Sequence, residues 1–95
     1  MSRRPDPAGQ LLRSLGRSAK AAGCAVELRH DGLTPWASAT FVGGQHRVMA
    51  TGTGLEGWLD GLCEADLPMI GNYVADCVVE PVNAGAVLTV LVLEE

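Results

Sequence analysis

The spacing of apolar residues changes several times along the chain, and each change indicates a new element. Over residues 7–22, leucines and alanines recur at intervals of three and four, with Pro7 at the start and Gly23 just after the end. Side chains at this spacing share one face of a helix, so the segment predicts an amphipathic helix. Residues 24–30 then alternate between apolar and polar side chains before an Asp-Gly pair, which predicts a strand and a turn.

Two more alternating runs, residues 36–42 and 45–51, are separated only by Gly43 and Gly44. Glycines tolerate the positive φ angles of a type I′ turn, so this pattern predicts a β-hairpin with a two-residue loop. On the outward face the loop length pairs Val42 with Gln45, Thr40 with Arg47, Ser38 with Met49 and Trp36 with Thr51. On the inward face it pairs Phe41 with His46, Ala39 with Val48 and Ala37 with Ala50. The inward side chains are mostly small and apolar, so we expect a helix to cover them.

The second half of the chain predicts one more helix and two more strands. A short amphipathic helix is indicated by the spacing of Leu55, Trp58, Leu59 and Leu62. Residues 73–80 alternate, residues 81–85 form a loop, and residues 86–93 are apolar apart from Thr89. A strand that is apolar along almost its whole length, like residues 86–93, is normally buried on both faces. We therefore expect it to be the central strand of the sheet or part of a subunit interface.

These elements predict an α+β fold of two layers, in the order α-β-β-β-α-β-β. We expect a mostly antiparallel five-stranded sheet with two helices on one face. The 95 residues form a single domain, with a flexible N-terminus over residues 1–6, a basic amphipathic helix over residues 7–22 and an α+β body over residues 24–94. A chain of this length buries only about 60 to 65% of its unfolded surface, so we expect a homodimer to add stability.

Charge is divided unevenly between the first helix and the body. Residues 1–22 carry a net charge of +4 and residues 23–95 one of −8, which together give the −4 of the whole chain. A basic amphipathic start can bind nucleic acid or an anionic membrane, and its alternative is a solvated helix face. Nucleic acid is a disfavoured partner, because five cations offer few phosphate contacts on an otherwise acidic chain.

The cysteines indicate a reducing compartment. The chain has three cysteines, Cys24, Cys63 and Cys77, which are widely spaced and form no Cys-x-x-Cys pair. We interpret them as reduced thiols that are buried like small hydrophobic residues. They also lack the short paired spacing of zinc ligands. The longest mostly apolar run, residues 84–93, is about half of a membrane span, and no signal-peptide segment follows the N-terminal arginines. We therefore predict a cytoplasmic protein without a membrane span.

One nucleotide-binding motif is present by spacing. Residues 52–57 read Gly-Thr-Gly-Leu-Glu-Gly, which satisfies G-x-G-x-x-G, and acidic residues follow at roughly the expected distance. The preceding strand alternates and is paired in the predicted hairpin, and the chain is too short for a doubly wound parallel sheet. We interpret these glycines as a turn before the second helix, with an anion at that helix N-terminus left open.

Candidate binding residues come from the predicted outward face and its edge. A tryptophan beside arginine and hydroxyl groups can bind a small ligand or anchor a partner protein. We predict that ligand or partner binding involves Arg29, Trp36, Ser38, Thr40, His46, Arg47 and Asp76. The alternatives are cross-strand pairing in solvent and, for His46, a place at the edge of the core. We assign no catalytic residue, no metal ligand and no cofactor.

Three segments carry a resemblance: residues 35–41 (PWASATF), 45–47 (QHR) and 72–76 (NYVAD). They resemble parts of short alphaproteobacterial proteins of unknown function, over about residues 24–94. The resemblance implies a bacterial cytosolic origin and no mechanism.

The sequence favours a non-enzymatic, homodimeric binding or interaction protein, whose outward face or last strand contacts a second copy or another protein. The first alternative is a small ligand-binding domain or enzyme with an intersubunit site that uses His46, Arg47 and Asp76. The second alternative is tethering to nucleic acid or a membrane through the basic N-terminal helix.

Overall fold

A computed structural model describes residues 6–95 and shows an α+β fold with two helices and one four-stranded antiparallel sheet. In chain order the elements are α1 (Pro7–Ala21), β1 (Ala25–Ala37), β2 (Val42–Thr53), α2 (Leu55–Leu62), β3 (Asn72–Val82) and β4 (Gly85–Glu94). The strands lie in the order β1-β2-β4-β3. The expected flexible N-terminus falls largely on residues 1–5, which lie outside the described residues.

Helix α1 begins and ends where its sequence signals predict. The Asp6 carboxylate caps the helix by accepting a hydrogen bond from the Ala8 backbone N–H at 3.2 Å. Leu11, Leu15 and Ala19 are fully buried at a spacing of four residues. After the helix, Gly23 has a φ of +76°, a left-handed conformation that glycine adopts without strain. The amphipathic helix predicted over residues 7–22 is therefore confirmed to within one residue.

The predicted five-stranded sheet is wrong by one strand, because β1 continues from the first predicted strand, residues 24–30, into the start of the second. The rest of the second predicted strand, residues 38–42, forms the turn and the first residue of β2. The Asp-Gly pair interpreted as a turn is a bulge: the pairing of β1 with β2 shifts register between His30 and Gly32. A bulge absorbs one extra residue and bends the strand without ending it. Strand β1 therefore runs through the predicted turn to Ala37.

The predicted hairpin is also wrong in its turn and its register. The chain reverses at Ser38–Phe41, where the Ser38 hydroxyl accepts hydrogen bonds from the backbone N–H groups of Thr40 (3.3 Å) and Phe41 (3.1 Å). Gly43 and Gly44 lie inside β2, and the residue opposite Gly43 is Trp36. Consequently Met49 pairs with Arg29 instead of Ser38, and the other predicted hairpin pairs are likewise absent.

Position 43 requires glycine because the backbone of the neighbouring strand lies close to it. A Cβ atom there would overlap the carbonyl oxygen of Val92 in the neighbouring strand β4. At Gly44 a Cβ atom would come within 2.5 Å of the Leu33 side chain. These glycines therefore allow close approach of neighbouring groups, which is a second use of glycine besides tight turns.

Strand β4 lies between β2 and β3, so the prediction of a central strand is confirmed. Its alternate side chains Ala86, Leu88, Val90 and Val92 are at most 2% exposed. They face the two helices and form the core with the apolar faces of α1 and α2. Both helices therefore cover the same face of the sheet, as the sequence predicts.

Candidate functional site

The sheet face opposite the helices, here called the open face, is not covered by any other element in residues 6–95. The register across the four strands defines rows of side chains that share this face. One row runs Arg29–Met49–Val87–Glu80, the next Arg47–Thr89–Val78, and the third Gln45–Leu91–Asp76. An open face with so many side chains of mixed chemistry is the broadest candidate surface of the protein.

The middle of the open face is mostly apolar, with Thr89 as its polar residue on β4. Strand β4 contributes Val87 and Leu91, and they are flanked by Met49 on β2 and Val78 on β3. Val78 is 53% exposed, and the other three side chains are half-buried. The apolar character of β4 on both faces thus has two causes: one face fills the core, and the other forms this central stripe.

One side of the stripe carries a cluster of two arginines and one carboxylate. Asp31 lies at the bulge, with Oδ1 3.8 Å from Nη2 of Arg29 and Oδ2 3.6 Å from Nε of Arg47. The arginine side chains are 75% and 61% exposed, so these ion pairs add little stability. Their effect is positional, because one carboxylate holds two guanidinium groups on the same surface. The cluster retains a net charge of +1.

The other side of the stripe is acidic. Asp76 and Glu80 project from β3 on the open face, opposite Leu91 and Val87 respectively. Within residues 6–95 neither carboxylate takes part in an ion pair. The β3 side of the stripe is therefore acidic, whereas the opposite side carries both arginines together with Asp31 and the exposed Glu27 of β1.

At one end of the open face lies a small aromatic cluster. Leu93 is only 5% exposed although it faces away from the helices. The register flanks it with Tyr73 on one side and, across the side-chain-free Gly43, with Trp36 on the other. Trp36 itself is 36% exposed. This end offers an aromatic surface of the kind that anchors partner proteins.

The structure thus brings together four of the seven predicted binding residues: Arg29, Trp36, Arg47 and Asp76 share the open face. Ser38 and Thr40 do not belong to it, since they form the turn after β1. Their predicted place on the outward face is wrong because the hairpin reverses at these residues. His46 is also not on the open face, because it is 3% exposed and lies in β2 on the side of the helices.

His46 forms a close pair with His30 beneath the N-terminus of α1. Nε2 of His30 lies 2.8 Å from Nδ1 of His46, so one of these nitrogens carries the hydrogen and donates a hydrogen bond to the other. Burial lowers the pKa of His46, the neighbouring His30 lowers it further, and Asp6 opposes both effects. The pair needs at least one neutral ring, because two imidazolium groups at this distance would repel each other.

A cavity of about 550 Å³ opens beside this pair, between the start of α1 and the end of the sheet. Leu33, Pro35 and Val92 form apolar walls, while His46 and Asn72 supply polar groups. Its volume and its mixed lining are typical of small-ligand sites. Asp6 and Glu94 also line the cavity, so a cation or hydrogen-bond donor fits it better than an anion.

The histidine pair predicts that stability falls in mild acid. His46 has a lowered pKa in the folded protein, so below its ordinary value of 6.5 the unfolded chain binds a proton that the folded protein does not. The free energy of unfolding should be level above about pH 6.5 and decline as the pH falls toward the lowered pKa. Urea unfolding between pH 5 and 8 measures this.

The matched variant is His46→Gln, which removes the titrating group and keeps a hydrogen-bonding side chain. Its stability should change less with pH over this range than that of the wild type. An equal decline in both proteins would show that other groups cause it.

The G-x-G-x-x-G segment spans the end of β2, Gly54 and the start of α2, so the turn interpreted from the sequence is confined to Gly54. Gly54 has a φ of +74° and precedes α2 without a side-chain cap. The preceding strand β2 is antiparallel to both of its neighbours, whereas a dinucleotide site requires a parallel β-α-β unit. The cavity beside this turn, of about 1100 Å³, is lined by Glu56 and Asp60, which disfavour phosphate groups.

The basic residues of α1 that the structure describes lie on its outer surface. Arg13, Arg17 and Lys20 are exposed at intervals of four and three residues, and no ion pair involves them within residues 6–95. Arg3 and Arg4 lie outside the described residues. Tethering through this helix stays a prediction.

The expectation of three buried cysteines is confirmed for Cys24, which is 7% exposed, and is wrong for Cys63, which is exposed. Cys77 is intermediate. The part of the chain from residue 6 onward holds no cluster of three or more potential metal ligands. In the same residues, no helix has the length and apolar character needed to cross a membrane.

Comparisons with protein-family models, with curated proteins and with solved structures give no match to this chain.

Two members of the candidate surface, Asp31 and Glu80, are not among the binding residues that the sequence predicts. The sequence predicts a turn at Asp31 and a strand without a binding role at Glu80. The alternation of residues 73–80 gave a signal for Glu80, whereas the place of Asp31 depends on a bulge that no local pattern revealed.

Proposed function

We propose that this chain is a non-enzymatic interaction protein of the cytoplasm, which forms a homodimer through its open face. The observation that carries the proposal is the uncovered apolar stripe of β4, with a basic cluster on one side and acidic residues on the other. Apolar surface rimmed by polar and charged residues is typical of protein interaction sites. Burial against a second copy would complete the small core that 95 residues can build.

The charges on the open face fit a second copy related by a two-fold axis. Consider an axis that runs parallel to the strands, between β2 and β4, with the two sheets stacked face to face. This rotation places β1 of one copy over β3 of the other and keeps each row level. Arg29 and Glu80 occupy the same row at opposite edges, so each arginine would face a glutamate of the second copy, twice per dimer.

The available area is sufficient for a stable dimer. The ten residues of β4 extend roughly 34 Å, and four strands at about 4.8 Å spacing give a width of roughly 19 Å. The resulting face is about 600 Å² per copy, which lies at the lower end of specific protein interfaces. Face-to-face packing of two antiparallel sheets is a common solution for burying such surfaces.

Sedimentation equilibrium of the wild type and of Leu91→Asp tests this proposal. We expect a wild-type dimer, and a monomer for the variant, because an unpaired carboxylate in the centre of the interface is costly to desolvate. The dissociation constant of the dimer should be at least about 100-fold higher for the variant, which corresponds to a loss of about 2.8 kcal/mol of dimerisation free energy. The control is Ile70→Asp, an apolar side chain that is 76% exposed and lies outside the open face.

A charge exchange then tests the two-fold arrangement. Arg29→Glu and Glu80→Arg should each weaken the dimer, and the double variant should recover part of the loss, because it exchanges both partners of the same pair. A wild-type protein that stays monomeric at high protein concentration would contradict the proposal. A dimer that persists in Leu91→Asp would place the interface elsewhere.

A second candidate function is the binding of a small molecule, which the cavity beside His46 favours. Its apolar walls and its few polar groups can hold and orient a small cationic or neutral ligand. An intersubunit site that uses Arg47 and Asp76 would require the dimer and would be separate from this cavity, because these residues lie on the open face and His46 lies on the side of the helices. Native mass spectrometry distinguishes the cases: extra mass retained by a monomer supports the cavity, and extra mass only on the dimer supports an intersubunit site.

A further inference from the structure

Two cysteines lie side by side where the end of α2 contacts β3. Cys63 is the C-cap residue of α2, and its thiol donates a hydrogen bond to the Cys77 carbonyl oxygen at 2.9 Å. The Cys63 side chain in turn contributes to the raised pKa of the Cys77 thiol. Cys63 is exposed, whereas Cys77 is only partly accessible. The fold therefore brings together one accessible and one sheltered thiol from distant points in the sequence.

Both thiols line a groove of about 280 Å³ that is open to solvent. Asp66 from the loop after α2 and Asp76 from β3 line the same groove, together with Tyr73. The two carboxylates make the groove acidic, which disfavours anionic reagents. A small neutral oxidant such as hydrogen peroxide is compatible with both the size and the charge of the groove.

We propose that Cys63 and Cys77 form an intramolecular disulfide when the protein meets hydrogen peroxide, so that the pair is a redox modification site. In the first step the Cys63 thiolate attacks one peroxide oxygen, which gives a Cys63 sulfenic acid and releases hydroxide. In the second step the Cys77 thiolate attacks the Cys63 sulfur, which forms the S–S bond and releases a second hydroxide. With the two thiol protons, the products are one disulfide and two molecules of water.

The order of the two roles follows from the environments of the thiols. Cys63 is accessible to the oxidant, whereas burial, the Cys63 side chain and Asp76 together raise the pKa of Cys77 to about 12. A thiol with so high a pKa has little thiolate at neutral pH, so Cys77 is the second cysteine to react. The second step should therefore accelerate close to tenfold per pH unit between about pH 7 and 9, because the fraction of Cys77 thiolate rises with pH in this range.

The disulfide would connect the end of α2 to the edge strand β3. It would enclose the segment between them, of which residues 66–69 have no regular secondary structure. A covalent link across this segment restricts the unfolded chain, so the oxidised protein should have a Tm several degrees higher than the reduced protein. Cys77 belongs to the helix side of β3, whereas Asp76 and Tyr73 of the open face border the same groove.

The test is treatment of the native, full-length protein with hydrogen peroxide, followed by thiol titration and peptide mass mapping. The three free thiols should fall to one, with the loss of two hydrogen atoms in a peptide pair that contains Cys63 and Cys77. The rate should not depend on protein concentration. Cys24→Ser is the matched control and should react like the wild type, because Cys24 is buried and donates to the Thr53 carbonyl oxygen.

Two variants separate the steps. Cys77→Ser should accumulate a sulfenic acid at Cys63 that dimedone traps, and Cys63→Ser should lose no thiols on the same timescale. If Cys77→Ser unfolds, as judged by circular dichroism, Cys77→Ala takes its place. The proposal is overturned if oxidation links two copies through Cys63, if the link includes Cys24, or if Cys63 is oxidised without any disulfide.

Discussion

Replacing Leu88 by alanine is expected to lower the free energy of unfolding by about 3 to 5 kcal/mol. Leu88 is fully buried in the central strand β4, where it faces both helices. The substitution removes several methyl and methylene groups and leaves a cavity, because neighbouring strands on both sides hold the backbone in place. Small domains have a total stability of about 5 to 15 kcal/mol, so the variant should lose a large fraction of it.

Urea unfolding monitored by circular dichroism measures this loss. The matched control is Leu33→Ala, because Leu33 is 54% exposed at the end of the sheet. That variant should lose less than about 1 kcal/mol, since a surface side chain leaves no cavity. If both variants lose the same amount, the core does not lie where the structure places it.

Replacing Gly43 by alanine is the second change with a large expected effect, a loss of about 3 kcal/mol. The added Cβ atom would overlap the carbonyl oxygen of Val92, so β2 and β4 must separate at this row. Backbone atoms cannot move aside as a flexible side chain can, which makes this overlap costly. Thermal unfolding of Gly43→Ala and the wild type measures the effect.

The control for this prediction is Gly57→Ala in helix α2. A Cβ atom at Gly57 meets no atom within 4 Å, and alanine favours helices over glycine by about 1 kcal/mol. The same chemical change should therefore stabilise the protein at one position and destabilise it at the other. If Gly43→Ala is harmless, β2 does not approach β4 as closely as the structure shows.

Local patterns predicted the helices and the central strand well. In α1, the apolar spacing, the early proline and the following glycine all act within a few residues, so no distant contact is needed to interpret them. The same holds for β4, whose run of apolar residues requires burial on both faces. These features depend on the covalent neighbours of each residue and on the period of the element.

The hairpin shows where local patterns fail. Glycine is suited to a tight turn and to close packing of strands, and the sequence around Gly43 and Gly44 does not distinguish these uses. The Asp-Gly pair at residues 31–32 is likewise compatible with a turn and with a bulge. In both cases the decision depends on the neighbouring strand, which lies far away in the sequence.

In the candidate site, too, local patterns predicted some features, and others depend on contacts between distant segments. The sequence placed Arg29, Arg47 and Asp76 on one surface, because alternation along a strand assigns each side chain to a face. It could not show that Arg29 and Glu80 share a row, since that depends on the order β1-β2-β4-β3. The proximity of Cys63 to Cys77 and of His30 to His46 also depends on tertiary packing.

By itself, the sequence determined the class of the fold, the N-terminal helix, the central position of the last strand and the residue types available for binding. These properties follow from periodicity and composition, which each segment carries alone. The tertiary structure decided the number of strands, the turn between β1 and β2, the two charged sides of the open face and the paired histidines and cysteines. The physical reason is that register and strand order are set by contacts between segments, and a bulge of one residue changes every pairing that follows it.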